Sequence, residues 1–587
     1  MAPKAAQTAP IPSAAQVGVI VIGYNDAGHI ADAVLSALRQ GAGVAEVVAV
    51  DDGSTDDTAR VLADLARRYR RVRVVRRRGN SGGCGTPRND GLRRATARYV
   101  MFLDSDDVLL PGAVDALLAA AARHHAPVVA GACVRRELPG HREVRWQQSL
   151  YRAEAVHDSP AERPRLVRDT LCVNKLYARA FLQGHGITFP EGAFRYEDFV
   201  FTARVLAAAP RIAIVPDAVY GWQVRRSAER PSISLDRNGP DNWRSRLAAH
   251  RRSVEIFEEA GQKQLAHAAR VKFLDYDLRM YLRELGGHSA AHREAWWQLT
   301  RAYLAGFDAA ELAAARAPAR WIARVLLAAE HPRDLRRLIE LAGRPARLLP
   351  PYARVEGRPV WDVDLPGVLL DGIDTKPLRR LPVTVEAEPV VSARTRLLRI
   401  RVHEIYGRLA AAGPLTVDLE LRHREDGAIG LTRDAVLTPE AGRDRGAGLG
   451  PETGRVRDAG LGPEGGRVRD AGLGPEGGSA PGEGISSWSA EVLLDLDALA
   501  VRTRGSPPDV WDLRVRLHCA DGSSLSTGVR AAGPGLRRTA VPSRGHGVLL
   551  VQPYATTGGS LALRIAPGPR AAVAVVTRKL RRAARRR

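Results

Sequence analysis

The chain has few cysteines and no long apolar run. Each of these absences excludes some classes of protein. Four cysteines occur in 587 residues, and none belongs to a C-x-x-C pair. This argues against a disulfide framework or a zinc site and favours a reducing compartment. No stretch approaches the roughly 18 uninterrupted apolar residues of a membrane-spanning helix, and the polar, proline-containing start lacks a secretory signal. We expect a cytoplasmic protein that at most touches the inner face of a membrane.

Common nucleotide-binding and hydrolase motifs are also missing. There is no G-x-x-x-x-G-K-[ST], and residues 82–85 do not fit G-x-G-x-x-G, which argues against P-loop and dinucleotide-binding classes. Residues 79–83 match G-x-S-x-G by letter. However, three arginines separate Ser81 from the preceding strand, whereas a nucleophile elbow needs an abrupt strand-to-serine-to-helix turn. A serine hydrolase is therefore the least favoured of the functions that the sequence suggests.

The formal net charge is +23, and arginine supplies nearly all of the positive charge. With alanine also abundant, we interpret this as compositional bias and do not infer a nucleic-acid partner. Charge is concentrated in the C-terminal stretch 578–587. This stretch is a candidate for peripheral contact with anionic lipid, at about 1 kcal/mol per basic residue, or with a polyanionic acceptor. A solvated tail is the alternative.

The first part of the chain alternates apolar strands with amphipathic helices, which predicts an α/β fold with a mainly parallel sheet. Its strand segments are continuous apolar runs, as buried parallel strands usually are. The predicted strands are Val17–Ile22, Val44–Val50, Val72–Val75, Tyr99–Leu103 and Val128–Val134. The predicted helices are 30–38, Thr55–Tyr69 with Ser54 as its cap, Asn89–Ala97, Ala113–His124 and Glu197–Ala208.

Two acidic clusters, 51–54 and 104–107, each follow a predicted strand. Open α/β sheets bind ligands at the carboxyl ends of their strands. Asp104 and Asp106 are two residues apart and project to one side of an extended segment. Paired carboxylates suit Mg²⁺ or Mn²⁺, which leaves positions open for substrate phosphates. The alternative is that these acids form turns and helix caps, with Asp107 capping the helix announced by Pro111.

Four motifs in this order resemble the inverting family 2 glycosyltransferases with the GT-A fold. They are residues 19–25, 51–54, 88–91 and 102–107, and the likeness covers about residues 17–235. It implies a nucleotide-sugar donor, with Asp52 at the base, Asp104 at the ribose and Asp106 on the metal. Arg88, beside the glycine-rich loop, is a candidate contact to the phosphates. The full set of predicted donor-binding residues is Tyr24, Asn25, Asp52, Arg88, Asn89, Asp104 and Ser105.

A base for the acceptor hydroxyl is predicted at Glu197-Asp198, between aromatic side chains that would raise a carboxylate pKa. In the family an Asp of this motif is the base, so we assign Asp198 to that role and Glu197 to its support. The alternative is two acids in the first turn of a helix. The predicted acceptor or diphosphate loop residues, also by resemblance, are Lys175, Trp222, Arg225 and Ser232.

The remaining chain changes character twice. Spacings of three to four residues between 273 and 284 predict an amphipathic helix in an Ala-, Arg- and Leu-rich region. Beyond 350, about seven short strands suggest β-sandwich modules for acceptor binding or homo-oligomerisation. The predicted divisions are a flexible start at 1–16, a GT-A domain at 17–240, a helical linker at 241–350, a β-sandwich-like region at 351–567 with a disordered 12-residue-repeat insertion at 441–484, and a basic tail at 568–587.

This layout is similar to that of enzymes that attach sugars to wall teichoic acid. We predict metal-dependent, inverting transfer of a hexose or N-acetylhexosamine from a UDP-sugar to a polymeric or lipid-linked acceptor of the cell envelope. The competing hypothesis is a non-catalytic carbohydrate-binding scaffold that retains the GT-A fold. The intact acids at 52, 104, 106 and 198 argue against that scaffold.

Overall fold

The computed structural model describes residues 16–138, 142–225, 237, 239–392, 395–441, 485–500 and 509–567. The predicted flexible start up to residue 15, Ser232, the repeat segment 442–484 and the basic tail 568–587 lie outside these residues. The chain divides into two compact units, Met1–Ala342 and Gly343–Arg587. The helical region that follows residue 240 thus clusters with the α/β part of the chain.

A ten-stranded sheet forms the centre of the first unit. Its main strand order is β3-β2-β1-β4-β9-β6-β10-β5, with β7 on β6 and β8 on β10. The pairs β3–β2, β2–β1, β1–β4 and β6–β10 are parallel, which confirms the mainly parallel sheet. The strands are β1 Val17–Gly23, β2 Val44–Asp51, β3 Val72–Arg76, β4 Tyr99–Asp104, β5 Val108–Leu109, β6 Val128–Leu138, β7 Arg142–Arg145, β8 Ala155–His157, β9 Lys175–Ala178 and β10 Ile212–Arg225.

Helices cover the sheet through their apolar stripes. In the first helix every apolar position of the predicted i, i+3, i+4 stripe is buried, from Ile30 to Leu38. The third helix lies so close to β1 that a Cβ added at Gly91 would collide with the side chain of Ile20. The helices are α1 Ile30–Leu38, α2 Thr58–Arg68, α3 Gly85–Arg94, α4 Ala113–His124, α5 Arg179–Gly184 and α6 Glu197–Ala208.

The predicted helix cap at Ser54 is wrong, and the alternative of a cap at Asp107 is wrong as well. Helix α2 begins at Thr58, and the Ser54 hydroxyl instead accepts a hydrogen bond from the backbone N–H of Asn25 at 2.9 Å. Helix α4 follows Gly112, whereas the Asp107 carboxylate accepts from the Gln223 N–H and the Tyr220 hydroxyl, both at 2.7 Å. In each case the side-chain oxygen links two segments that are far apart in the sequence. Capping rules consider only neighbouring residues, so they could not predict these hydrogen bonds.

The helical region of the first unit contains a buried charge cluster. Asp277 forms ion pairs with Arg246 and with Lys272, the latter at 3.0 Å. These two cations hold the pKa of Asp277 well below its usual range despite its burial. The predicted helix over 273–284 begins as a π-helix, Phe273–Leu278. The region comprises α7 Pro240–Glu259, α8 Lys263–Lys272, α9 Arg279–Glu284, α10 Ala290–Leu304, α11 Ala309–Ala314, α12 Ala317–Ala328 and α13 Leu335–Ala342.

The second unit is mostly antiparallel β-structure, as expected for the C-terminal region. Its two larger sheets have the orders β17-β18-β14-β13-β21 and β16-β15-β19-β24-β23-β22, with β20 on β19. The strands are β11 Ala353–Val355, β12 Arg358–Val360, β13 Val385–Val391, β14 Arg396–His403, β15 Pro414–His423, β16 Ile429–Val436, β17 Thr438–Ala441, β18 Ile485–Leu493, β19 Asp509–Cys519, β20 Ser524–Gly528, β21 Arg530–Ala531, β22 Thr539–Ser543, β23 Gly547–Ala555 and β24 Leu561–Pro567, and the helices are α14 Arg408–Ala412 and α15 Leu496–Ala500.

Candidate functional site

The sheet brings the predicted motifs to one edge. In the register of the three central strands, Gly23 of β1 pairs with Asp51 of β2, and Ile22 pairs with Asp104 of β4. The residues that follow these strands therefore emerge side by side at the carboxyl ends of parallel strands, where such sheets bind ligands. This edge carries the 24–25, 51–54 and 104–107 segments.

One guanidinium group joins three of the predicted carboxylates. Nη2 of Arg88 lies 2.7 Å from Asp104, and Nη1 lies 2.6 Å from Glu197 and 2.9 Å from Asp198. The Arg88 side chain is only 3% exposed. Its charge is therefore engaged within the protein, and a direct contact from Arg88 to donor phosphates stays a prediction. Residues more than 100 positions apart in the sequence thus meet at one guanidinium group.

The acidic pair at the start of α6 has the properties of a base. Burial raises the pKa of Glu197 to about 7, with a further contribution from the neighbouring carboxylate of Asp198. Burial also raises the pKa of Asp198, against the lowering effect of Arg88. Asp198 is the more open of the two, with 22% of its side chain exposed against 12% for Glu197. A carboxylate with a raised pKa is a better proton acceptor near neutral pH.

The loop after β4 is tied to β10. The Tyr220 hydroxyl donates to Asp107 and accepts from the backbone N–H of Asp104 at 3.3 Å. Arg225 donates to the backbone carbonyl of Asp106 at 3.0 Å. These bonds attach the D-x-D segment to β10, and they place Arg225 beside the predicted metal ligand.

The carboxylates around Asp106 fit a hard divalent cation. Burial and the nearby charges of Asp104 and Asp26 raise the pKa of Asp106 to about 6. A bound cation would relieve this repulsion, and oxygen is the ligand that Mg²⁺ and Mn²⁺ prefer. Within the described ranges, no group of three or more His, Cys, Asp or Glu side chains is arranged to hold a metal by itself. A cation at Asp106 would need further ligands from a substrate.

Asp52 lies at a polar cluster at the other end of the edge. Its Oδ2 accepts hydrogen bonds from the Ser81 hydroxyl at 2.8 Å and from the Asn80 amide at 3.0 Å, and its Oδ1 lies 2.8 Å from Arg77 Nε. Burial raises the pKa of Asp52. Gly53 has φ +74, and a Cβ there would lie 2.5 Å from the Gly79 backbone, so this turn requires glycine. The close approach fixes Asp52 against the loop after β3.

The other predicted donor-binding residues fall into two groups. Tyr24 follows β1 and is 44% exposed, and Ser105 lies near Gly23 on the same edge and is partly exposed. Asn25 adopts a left-handed φ of 51° and accepts from the Thr55 N–H at 2.7 Å, which connects the β1 and β2 ends. Asn89 is buried and bonds the Phe189 backbone through both its amide nitrogen and oxygen at 2.9 Å. Tyr24 and Ser105 are thus accessible, whereas the two asparagines brace loops.

Two predicted acceptor-loop residues have protein partners already. Lys175 is buried and forms an ion pair with Asp169 at 3.0 Å. Trp222 packs edge-on against Trp146, with ring centroids 5.8 Å apart, and Arg135 lies over its face at 5.2 Å. The structure does not bring Lys175 to the carboxylate cluster. The roles predicted for Lys175 and Trp222 stay predictions.

Several residues at the site were not predicted from the sequence. The thiol of Cys172 lies 3.2 Å from Asp198 Oδ1 and donates to it. Asp26 adds negative charge at Asp106, and Arg77 holds Asp52. Only Asp26 left a signal, because it directly follows the Tyr24-Asn25 strand end. Cys172 and Arg77 reach the site through the fold.

A sheet rich in parallel strands, with acidic loops gathered at its strand ends, defines an α/β domain of the class that binds ligands at that edge. Residues 18–185 match the family described as Glycosyl transferase family 2. This match agrees with the family resemblance that the motifs of the segment indicated. No helix of the described ranges is both long and apolar enough to span a bilayer.

Proteins similar to this chain include bacterial glycosyltransferases. The chain is 28% identical over 221 residues to "Poly(ribitol-phosphate) beta-glucosyltransferase" of Bacillus spizizenii, covering 37% of this chain and 34% of that protein. It is 32% identical over 216 residues to "Poly(ribitol-phosphate) beta-N-acetylglucosaminyltransferase TarS" of Staphylococcus aureus, covering 36% of each. The matched region is thus about a third of the length of these curated relatives. The solved structure "Crystal structure of S. aureus TarS" aligns with a TM-score of 0.49 at 18% identity, over 94% of this chain and 85% of that one.

Proposed function

We propose that the protein is a metal-dependent, inverting glycosyltransferase that moves a hexose or N-acetylhexosamine from a UDP-sugar to a polyol-phosphate polymer of the cell envelope. The observation that carries this proposal is the junction at Arg88, which joins the D-x-D carboxylate Asp104 to the base pair Glu197 and Asp198. On this proposal, the single side chain of Arg88 contacts both a donor-binding carboxylate and the proton acceptor. The relatives' names, a glucosyl- and an N-acetylglucosaminyltransferase acting on poly(ribitol phosphate), support the choice of sugars and acceptor.

In the proposed reaction, an acceptor hydroxyl attacks the anomeric carbon of the sugar as its bond to the diphosphate breaks. Asp198 takes the hydroxyl proton, and Glu197 with Arg88 orients it. Asp106 would hold the cation, which neutralises charge on the leaving diphosphate as a Lewis acid. Asp104 and Asp52 would position the nucleoside, and Tyr24, exposed at the edge of the sheet, could stack on its base.

The direct test is UDP release with Mn²⁺ and poly(ribitol phosphate), compared among the wild type, Asp106→Ala and Asp198→Asn. We expect Asp198→Asn to lower kcat by about 10²–10⁴-fold with little change in the donor KM, because it removes a general base. Asp106→Ala should abolish the Mn²⁺ response.

Arg123→Gln, on the exposed end of α4, is the matched control and should retain full turnover. Unchanged turnover in folded Asp106→Ala and Asp198→Asn would reject the site. Tight binding of the nucleotide sugar by the wild type, without any UDP release, would favour the non-catalytic scaffold.

A further inference from the structure

A cavity of about 700 Å³ opens beside the candidate site, between the end of β3 and the outer side of α3. Its size is within the range of about 300–1,000 Å³ that is usual for ligand pockets. The wall is dominated by one kind of side chain, because five of its eight residues are arginines. The lining residues are Val75, Arg76, Arg77, Arg78, Gly79, Asp90, Arg93 and Arg94.

Carboxylates outside the cavity wall pair with three of its five arginines. These pairs are Arg76 with Asp51, Arg77 with Asp52, and Arg93 with Glu191. Asp90 is the one acidic residue in the lining, and it is shared by Arg77 and Arg93. Arg78 and Arg94 are exposed, and among the residues that the structure describes their side chains form no ion pair. Among the described residues, the charge left for a bound anion is therefore that of Arg78 and Arg94, which an anionic ligand in the cavity would neutralise.

The cavity is separate from the predicted donor site but adjoins it. None of Asp104, Asp106, Glu197 and Asp198 lines it. The connection is Arg77, whose Nε lies 2.8 Å from Asp52 Oδ1. A ligand in the cavity would therefore lie next to the nucleoside end of the donor site, with its anionic part away from the D-x-D segment.

We propose that this arginine cavity binds a phosphodiester of the anionic acceptor polymer, and this inference rests on the proposed function. Arginine matches phosphate oxygens with two parallel N–H donors, which lysine cannot do, and the cavity contains arginine and no lysine. A single phosphate would fill a small part of the volume, so the space suits a phosphate together with its flanking polyol units. The cavity would hold the polymer while one of its hydroxyls reaches the base at Asp198.

The test uses Arg78→Glu/Arg94→Glu, because both side chains are exposed and lack ion pairs in the described structure. Arg68→Glu/Arg70→Glu is the matched control, with the same charge change on exposed residues at the opposite end of β3. The measured quantities are the Kd of end-labelled poly(ribitol phosphate), the polymer KM and the donor KM. We expect the cavity variant to weaken the polymer Kd and raise its KM by about tenfold or more, the equivalent of about 1.4 kcal/mol, while the donor KM stays unchanged.

Several outcomes would overturn the inference. Equal losses in both variants would show a response to overall charge, and a raised donor KM would assign the cavity to the donor. Loss of binding to phosphatidylglycerol vesicles with polymer binding intact would indicate a lipid headgroup. Inorganic phosphate that competes as strongly as the polymer would indicate a free anion.

The same measurements separate this inference from the proposed function. If the wild type binds polymer through the cavity but transfers no sugar, the proposed function fails and the cavity stands. If the wild type transfers sugar and the cavity variant keeps the wild-type polymer KM, the cavity inference alone fails.

Discussion

Replacing Arg88 by Gln would test the electrostatic core of the site. The guanidinium is the cation that Asp104, Glu197 and Asp198 share. An opposite charge at such distances lowers a carboxylate pKa by about 1–3 units. Removing it should therefore raise the pKa values of Glu197 and Asp198 by a similar amount. Since burial already raises the pKa of Glu197 to about 7, Glu197 would be protonated at neutral pH, and the pKa of Asp198 would rise further above its ordinary value.

We expect the acid limb of the pH profile, the range over which activity rises with pH, to move to higher pH. In a pH profile of kcat measured by UDP release, the rise of activity should move to higher pH by about 1–3 units. At pH values on the displaced acid limb, the variant should lose about tenfold in kcat for each unit of pKa shift, because the fraction of base form falls about tenfold per unit. Part of this loss should return at pH 9. Arg88→Lys, which retains a positive charge but not the two-pronged geometry, should shift the limb less.

The free energy of unfolding of Arg88→Gln should also depend on pH, because the substitution raises the pKa values of the same carboxyl groups. A carboxyl whose pKa is raised in the folded state favours folding at low pH and loses that contribution as pH rises through the folded value. We expect Arg88→Gln to cost about 3–5 kcal/mol at pH 8, as when one partner of a buried ion pair is removed, and less at pH 5. A folded variant with an unmoved acid limb and a raised donor KM would refute this reasoning, because Arg88 would then act on the donor phosphates.

Two further predictions concern the frame of the first unit. Asp277→Asn should cost about 3–5 kcal/mol at pH 7 in urea unfolding, because Arg246 and Lys272 would stay buried with less compensation. The lowered pKa of Asp277 contributes stability above its unfolded value of about 3.8, so the difference between variant and wild type should shrink as pH falls below that value; a loss independent of pH would contradict it. Gly91→Ala should cost about 1–3 kcal/mol by overpacking against Ile20, and an unchanged Tm would refute the close packing of α3 on β1.

The sequence predicted the parallel strands well because their signal is local. Strand β1 is a continuous apolar run, and all seven of its residues are buried. The two acidic clusters were placed correctly at strand ends for the same reason. The second unit was harder: about seven strands were expected, and the described residues contain fourteen. Edge strands such as β16 carry a weak apolar pattern, because most positions of β16 are exposed and Leu431 is its one buried residue.

The partners of Arg88 could not be predicted from local patterns. Its position beside the glycine-rich loop suggested a phosphate contact, and the helix that carries it was expected to begin at Asn89. The structure begins α3 at Gly85, so Arg88 lies within the helix, and α6 comes to it from 109 residues further along the chain. Charge and helical pattern identify an arginine and two acids. Whether these three side chains come into contact depends on how the whole domain folds, which local patterns do not show.

The start of the base-bearing helix is fixed by the helical region of the same unit. Tyr196, just before α6, has a left-handed φ of 64°, a conformation that costs a non-glycine residue free energy. Its hydroxyl bonds to Asn242 at 2.8 Å and to Tyr281 at 2.9 Å, and Arg246 lies 4.5 Å from its ring centroid. These contacts hold the residue in that conformation, and Glu197 and Asp198 follow directly. The helices after residue 240 therefore position the proposed base, which gives a region without catalytic motifs a physical role in catalysis.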